Sequence, residues 1–293
     1  MPKQKAMTRR EFLRLCGAAS MAAALAACQR SLSALTQQPS PTGTHAPSPL
    51  PTTTPTLQPT DIPTETPQPS PTWSPAQIPG AVSAEQAAFL ASHEIKQGDT
   101  TRPVVLLTYD DNGDSIYIQR LLDVLAASGA KANFFFVGTA LKAHVEDIQR
   151  MVAEGHVLGC HGYTHDASYM QLTDAAINAE FERYLTEMAT IVPGYRVRWW
   201  RAPYGSRDQR VRDLAAAWGL QHVMWTRVSD GWSDQAYKVA EVAEAGDIIL
   251  GHMFRYFDIY QSPQIVTRLQ ERGFSLETLD TGLAADSYVG SGN

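Results

Sequence analysis

From about Ser83 onward the sequence predicts an α/β fold, a parallel sheet covered by helices. Three observations carry this. Short apolar runs alternate with longer stretches whose apolar residues recur at helical spacing. The runs are apolar throughout rather than at every second residue, the pattern of strands buried on both faces. Polar residues able to do chemistry gather directly after the runs, where parallel α/β sheets place their sites.

The elements follow in order. Val104–Tyr109 is a buried strand. Ser115–Ser128 carries Ile116, Ile118, Leu121, Leu122 and Leu125 at helical spacing, and Gly129 follows as a stop. Ala132–Val137 reads as a strand, Gly138–Glu154 as a helix ending at Gly155, and His156–Cys160 as a short strand. Thr173–Ile191 is a long helix entered through Thr173-Asp174 as a cap. Val197–Trp200 and Gln221–Trp225 are strands on either side of a helix over Asp208–Trp218. A helix over Gln235–Ala243, a strand over Asp247–Leu250, a helix over Gln264–Arg272 and a strand over Phe274–Leu279 complete seven strands.

The chain ahead of this domain is built differently. Residues 1–28 read as an export signal: Arg9 and Arg10 form a twin-arginine pattern, and a run of small apolar residues extends from Gly17 to Ala27. That run is shorter than the ~20 residues a bilayer-spanning helix needs. It ends in Leu25-Ala26-Ala27-Cys28, which resembles a lipoprotein cleavage box with Cys28 as the lipidated residue. Residues 29–82 hold 13 of the 18 prolines, interleaved with Ser and Thr and almost without charge. Such a segment buries too little apolar surface to offset its ordering entropy. It reads as a stalk that holds the domain of residues 83–285 away from a membrane, at about 3.1 Å per residue where polyproline-like. The expected location is therefore outside the cytoplasmic membrane, lipid-anchored.

The formal charge of −6 argues against a nucleic-acid partner, which calls for a basic patch or stripe. No obligate protein partner is implied. Of three cysteines, Cys16 and Cys28 fall in the signal segment, so the domain holds Cys160 alone and no disulfide framework. Cys160 reads as a small buried apolar residue.

Five polar segments follow strands: Asp110-Asp111, His161-Gly162-Tyr163-Thr164-His165, Arg201-Ala202-Pro203-Tyr204-Gly205, Ser229-Asp230-Gly231-Trp232 and Gly251-His252. Two imidazoles close in sequence, His161 and His165, with one carboxylate, Asp111, make a ligand set for a catalytic divalent metal with positions left for water. Adjacent carboxylates are either a solvated turn, since Asp-Asp-Asn-Gly suits one, or a division of labour between metal ligand and proton acceptor. His93, His144, His156 and His222 read as structural or surface residues. Tyr163, Trp232, Phe254 and Tyr256 lie on these loops and are candidates for stacking on a substrate.

Together, Leu107-Thr108-Tyr109-Asp110-Asp111, His161 to His165, Arg201 to Tyr204 and Leu250-Gly251-His252 resemble the successive motifs of the NodB-homology polysaccharide deacetylases, carbohydrate esterase family 4, in order and spacing over about residues 100–280. The resemblance implies a distorted (β/α) barrel of about seven parallel strands, and a divalent metal, usually zinc, with Co2+, Ni2+ or Mn2+ as alternatives. It implies Asp110 as general base, Asp111, His161 and His165 as metal ligands, and Arg201 as the residue holding the base. Tyr204 would face the oxyanion with its backbone N–H, and His252 would be the general acid, adjusted by Asp230. Pro203, Trp232 and Leu250 would bind substrate, Leu250 lining the acetyl pocket. The implied partner is a carbohydrate polymer containing N-acetylglucosamine, such as peptidoglycan, a chitin-like polymer or an exopolysaccharide. Two alternatives stand beside this: O-deacetylation of acetylated xylan, and an inactive carbohydrate-binding surface protein.

Three departures from the family pattern matter. Asn112 precedes Gly113, and Tyr109 replaces the common Phe. Gly162 stands where a Ser or Thr usually steadies the histidine loop, which predicts weaker metal affinity. Gly231 separates Asp230 from Trp232, which are adjacent in the family.

Overall fold

The order of strands in the sheet explains how distant segments meet. The computed structural model describes residues 82–165 and 169–287. The expected signal segment, Cys28 and nearly all of the expected stalk lie outside the described residues. Helix α1 (Ala84–Ser92) leads to strand β1 (Val104–Asp111), α2 (Ser115–Ser128), β2 (Ala132–Phe136), α3 (Val145–Ala153) and β3 (Val157–Cys160). Then come α4 (Asp174–Ile191), β4 (Trp199–Trp200), α5 (Gln209–Ala217), β5 (Gln221–His222), β6 (Arg227–Val228), α6 (Val239–Val242) and β7 (Asp247–His252). Helices α7 (Tyr256–Tyr260) and α8 (Ser262–Glu271) and strand β8 (Ser275–Leu276) close the domain. The strands run β5-β4-β3-β2-β1-β7-β6, with β8 beside the start of β1, and every pairing is parallel.

β5 and β6 sit at opposite ends of that order, yet only Val223–Thr226 separate them. Four linking residues reach at most ~17 Å, so the sheet must curl until its edges nearly meet. The link is bonded to both edges: Val223 N–H donates to Trp200 O at 3.0 Å, and Thr226 N–H to Ile248 O at 2.9 Å. This is the distorted barrel, with helices outside.

β1 shows why the strands are apolar on both faces. Alternate residues point to opposite sides. Val105, Leu107 and Tyr109 pack in the cluster shared with α2, α4, α5 and α8. Val104 and Leu106 pack inside the barrel with Ile95, Phe135, Trp199, Val223 and Ile248. The interior side continues as Thr108 and Asp110, so the barrel turns polar at its carboxyl mouth. Helix entry follows side-chain caps: Asp114 accepts from Ile116 N–H, Thr173 from Ala176 N–H and Asp208 from Val211 N–H.

The expected elements need four corrections. The expected strand Gln221–Trp225 ends at His222, because the chain leaves the β4 edge there to cross to β6. The Ser229–Trp232 segment therefore follows β6, at the opposite edge. The expected helices Gly138–Glu154 and Gln235–Ala243 open as 3₁₀ turns, Gly138–His144 and Ala236–Lys238, before their α segments. The last strand is only two residues long, since Leu279 N–H donates to the Asn133 side chain rather than to a strand. Helices α1 and α7 were not expected. Among the described residues, no helix is long and apolar enough to cross a membrane.

Cys160, Trp199, Trp200 and Phe134–Phe136 are core. His156 and His222 are buried and accept backbone N–H bonds from Ala132 and Ala202, so each must keep one ring nitrogen unprotonated. Burial pushes both down to about 4 from 6.5. The unfolded chain takes up these protons near 6.5 and the folded chain only near 4, so stability falls as pH drops from about 6.5 to 4. Unfolding midpoints measured across that window should decline steadily; a flat profile would refute the assignment.

Candidate active site

The carboxyl ends of β1, β3, β4 and β7 meet at one mouth. Asp110 lies in register with His252 on the neighbouring β7. Arg201 N–H donates to Cys160 O at 2.8 Å, which seats the segment after β4 beside the segment after β3. The mouth opens into a cleft of about 350 Å³ lined by Asp110, Asp111, His161, His165, Ala202, Tyr204, Gly205, Trp225, Leu250, His252, Phe254 and Arg255.

Asp111, His161 and His165 each offer a ligand atom here, all within 4.8 Å of one another. Asp111 Oδ1 lies 3.6 Å from His161 Nε2 and 3.3 Å from His165 Nε2. Ligands about 2.0–2.2 Å from a shared tetrahedral ion would stand roughly this far apart. His161 Nδ1 lies 2.9 Å from Arg201 O. A carbonyl only accepts, so Nδ1 carries the proton and Nε2 turns its lone pair to the site, the usual arrangement for a ligating histidine. The residues present fit a divalent ion.

Strict alternation would send the Asp111 side chain to the helix side, away from Asp110. Its backbone prevents this: Asp111 has φ 70°, outside the strand range. The other non-glycine residues with positive φ among the described residues are His165 at 59° and Tyr204 at 58°, both at this mouth. Backbone strain of this kind costs about 1–3 kcal/mol per residue and persists where the surroundings enforce it.

Asp110 is held differently. Arg201, wholly buried, donates from Nη1 to Asp110 Oδ1 at 2.6 Å and to Thr108 Oγ1 at 2.9 Å. It also donates from Nε to Val223 O at 3.1 Å and from Nη2 to Met224 O at 3.0 Å. Asp110 Oδ2 faces His161 Nε2 at 3.7 Å. Burial pushes the Asp110 carboxyl up, and Arg201 and then His252 pull it back down. Burial likewise raises Asp111, against His161. His252 is pushed down to about 4 by burial, opposed by Asp110.

Leu250 lines the cleft as expected, but Pro203 and Trp232 do not. Pro203 is buried near Gly162, and Trp232 stands exposed behind Phe254, ring centroids 5.9 Å apart. Tyr163 is no sugar platform: it is buried under the Arg183 guanidinium, and its hydroxyl donates to Glu187. The expectation for Asp230 is also corrected. Its exposed carboxylate accepts from Ser233 Oγ at 2.7 Å, within its own turn. Next to His252 lies Asp258 of α7, fully buried, but it accepts the backbone N–H of His252 at 2.9 Å, and the buried ring Nδ1 of His252 has no hydrogen-bond partner among the described residues. Gly231 makes room for Asp258, since a Cβ there would stand 2.2 Å from Asp258 Oδ2. That glycine was the one sequence signal for Asp258. Trp225 and Arg255 were also missed as cleft residues.

Fold and site together define an α/β-barrel hydrolase with acid–base groups, and side chains that could hold an ion, at one mouth. The model of the polysaccharide deacetylase family matches residues 97–223. The chain is 30% identical over 208 residues to a chitooligosaccharide deacetylase of Sinorhizobium fredii, covering 63% of this chain and 94% of the relative. A family 4 carbohydrate esterase from Streptomyces lividans, solved with acetate, superposes with TM-score 0.57 at 28% identity, over 62% of this chain and 96% of the esterase. A family 4 pseudoenzyme from Bacillus anthracis superposes with TM-score 0.61 at 23% identity, over 65% of this chain and 69% of its own, a likeness of fold alone. The chain belongs to the polysaccharide deacetylase family, the family 4 carbohydrate esterases, and is a polysaccharide deacetylase.

Proposed function

We propose that the chain removes N-acetyl groups from glucosamine units of a polymer outside the cytoplasmic membrane, with a divalent ion held by Asp111, His161 and His165. The observation that carries this reading is Asp110: a buried, arginine-held carboxylate whose free oxygen faces one of the ligand histidines at 3.7 Å. Two imidazole nitrogens, one carboxylate oxygen and room for water suit zinc best; Co2+, Ni2+ or Mn2+ take similar donors. Such an ion supplies Lewis acidity towards the acetyl carbonyl and a water of lowered pKa.

The chain's own residues do the rest. Asp110 accepts the proton of the attacking water, and Arg201 fixes its other oxygen so that Oδ2 keeps its aim. Leu250 receives the acetyl methyl. The backbone N–H of Tyr204 is assigned to the oxyanion, and its φ of 58° suits a residue held for its main chain, with the ring 72% exposed. His252 gives a proton to the departing nitrogen. With its pKa lowered to about 4, His252 carries no spare proton at the outset. The proton that Asp110 takes from the water supplies the one that leaves with the nitrogen, and the carboxylate charge of Asp110, which opposes the effect of burial, favours the imidazolium as that proton passes to His252. Phe254 and Arg255 wall the cleft on the His252 side.

The test is bound metal measured together with acetate release from chitin oligomers, peptidoglycan and acetylated xylan. Release from the two glucosamine polymers, with His161→Ala losing both metal and turnover, is the expected outcome. Release from xylan alone would replace the amide reading with an ester one. Export and anchoring through Cys28 are part of the same proposal; Cys28→Ser should move the protein out of the membrane fraction.

A further inference from the structure

The loop between the two candidate ligand histidines begins with a glycine, and the structure leaves no room there for a side chain. Gly162 has φ 81°, a conformation that side chains rarely adopt. A Cβ there would meet Tyr169 Oη at 2.9 Å and Pro203 Cγ at 3.2 Å. The loop is instead held from α4. Glu180 Oε2 accepts Tyr163 N–H at 2.7 Å and Thr164 N–H at 3.0 Å, and Oε1 accepts the Thr164 hydroxyl at 3.0 Å. One carboxylate thus takes three donors from the residues between the two histidines. Bonds of this charge-assisted kind are about twice as strong as neutral ones. The opposite side of the loop is tied to the segment after β2: Gly138 N–H donates to Gly162 O at 2.9 Å, and Thr139 N–H to Tyr163 O at 2.8 Å.

His161 is anchored separately, by the strand β3 and by Arg201 O. His165 lies beyond the strand and is met by Tyr204, whose hydroxyl donates to His165 O at 3.4 Å and whose ring centroid lies 4.7 Å from its own. It follows Thr164 directly and takes a left-handed φ of 59°. Residues 162–164 join it to His161, and Glu180 grips two of those three. We infer that Glu180 is a positioning residue, helping to fix the separation of the two imidazoles and with it the affinity for the divalent ion. This rests on the reading of Asp111, His161 and His165 as ligands.

The test is zinc affinity by competition with a chromophoric chelator, read beside the unfolding midpoint of the metal-free protein. Removing a residue that supports a metal ligand typically weakens binding about 10–100-fold. Glu180→Ala should fall in that range. Glu180→Gln keeps an acceptor oxygen but turns an amide N–H2 towards the loop's donors, and should lose about 10-fold, the low end of the same range. Gly162→Ser, which forces a side chain against Tyr169 and Pro203 at a left-handed φ, should weaken zinc binding rather than strengthen it. A merely structural role would lower the midpoint of the metal-free protein and leave the zinc affinity of the folded fraction untouched. Zinc affinity of Glu180→Gln within twofold of wild type, or tighter binding by Gly162→Ser, overturns the inference. His161→Ala separates the two levels: if it binds zinc as wild type does, the ligand reading itself is wrong. If it loses zinc while both Glu180 variants keep it, only the role of Glu180 fails. Should Glu180→Ala not fold, Glu180→Gln and Gly162→Ser still decide the matter.

Discussion

Asp110→Asn is expected to cut acetate release about 10²–10⁴-fold, the usual cost of losing a general base, while the protein still binds one equivalent of metal. The substitution is close to isosteric. Its carbonyl oxygen can take over the bond from Arg201 Nη1, now 2.6 Å from Asp110 Oδ1, so the arginine keeps a partner. The amide nitrogen then stands where Oδ2 faces His161, and it cannot accept a proton at neutral pH. The three candidate ligands are untouched. Asp110→Ala should lose as much turnover but also leaves the buried guanidinium short of its counter-charge, so the asparagine variant isolates the chemistry. Turnover and bound metal must be measured on the same sample. Near-normal turnover would remove Asp110 from the reaction, and loss of metal would make it a ligand rather than a base.

The parts of this site that could be read in the sequence are those announced by strand ends. β1 is apolar on both faces because helices cover one side and the barrel interior fills the other, so its six leading residues stand out as a run. Whatever follows such a strand falls at the mouth, and Asp110, Asp111, His161, Arg201 and His252 were all legible in this way. Barrel closure was harder. β6 is two residues long and poorly buried, while the apolar Val223–Trp225 that looks like strand is the crossing between the edges. Helix α1 had a readable start, for Ser83 and Gln86 form a reciprocal capping box. The supports of the site were not legible, for a physical reason. Glu180 sits on a helix with several other polar residues, and Asp258 on a five-residue helix too short to show a period, so nothing in periodicity separates a carboxylate turned inward from one turned out. Gly231 holds the information for Asp258, whose carboxylate fills the space a Cβ there would need; Gly162 faces Tyr169 and Pro203, and no such signal points to Glu180.

Arg201→Met should destabilise the domain by about 3–5 kcal/mol, the cost of breaking a buried ion pair from one side. For a domain of about 200 residues that corresponds to a fall in the unfolding midpoint of roughly 6–20 °C. Arg201 makes four hydrogen bonds with no exposed surface, and its guanidinium lies 4.3 Å from the Phe135 ring centroid. Two of those bonds go to Val223 and Met224, on the short crossing from β5 to β6, so the same side chain that aims the base also ties the curled sheet shut. Methionine fills much of the volume but leaves the two carbonyls without these bonds and Asp110 without a counter-charge. Lysine keeps the charge as a single point and cannot reproduce the planar fork, so Arg201→Lys should fall between methionine and wild type. The double variant Asp110→Asn/Arg201→Met separates the two roles. It carries no unpaired charge, and should therefore be more stable than Arg201→Met alone, while acetate release stays as low as in Asp110→Asn. Simple additivity of the two stability losses would mean that the pair is not coupled, and that Arg201 acts on the fold through Val223 and Met224 alone.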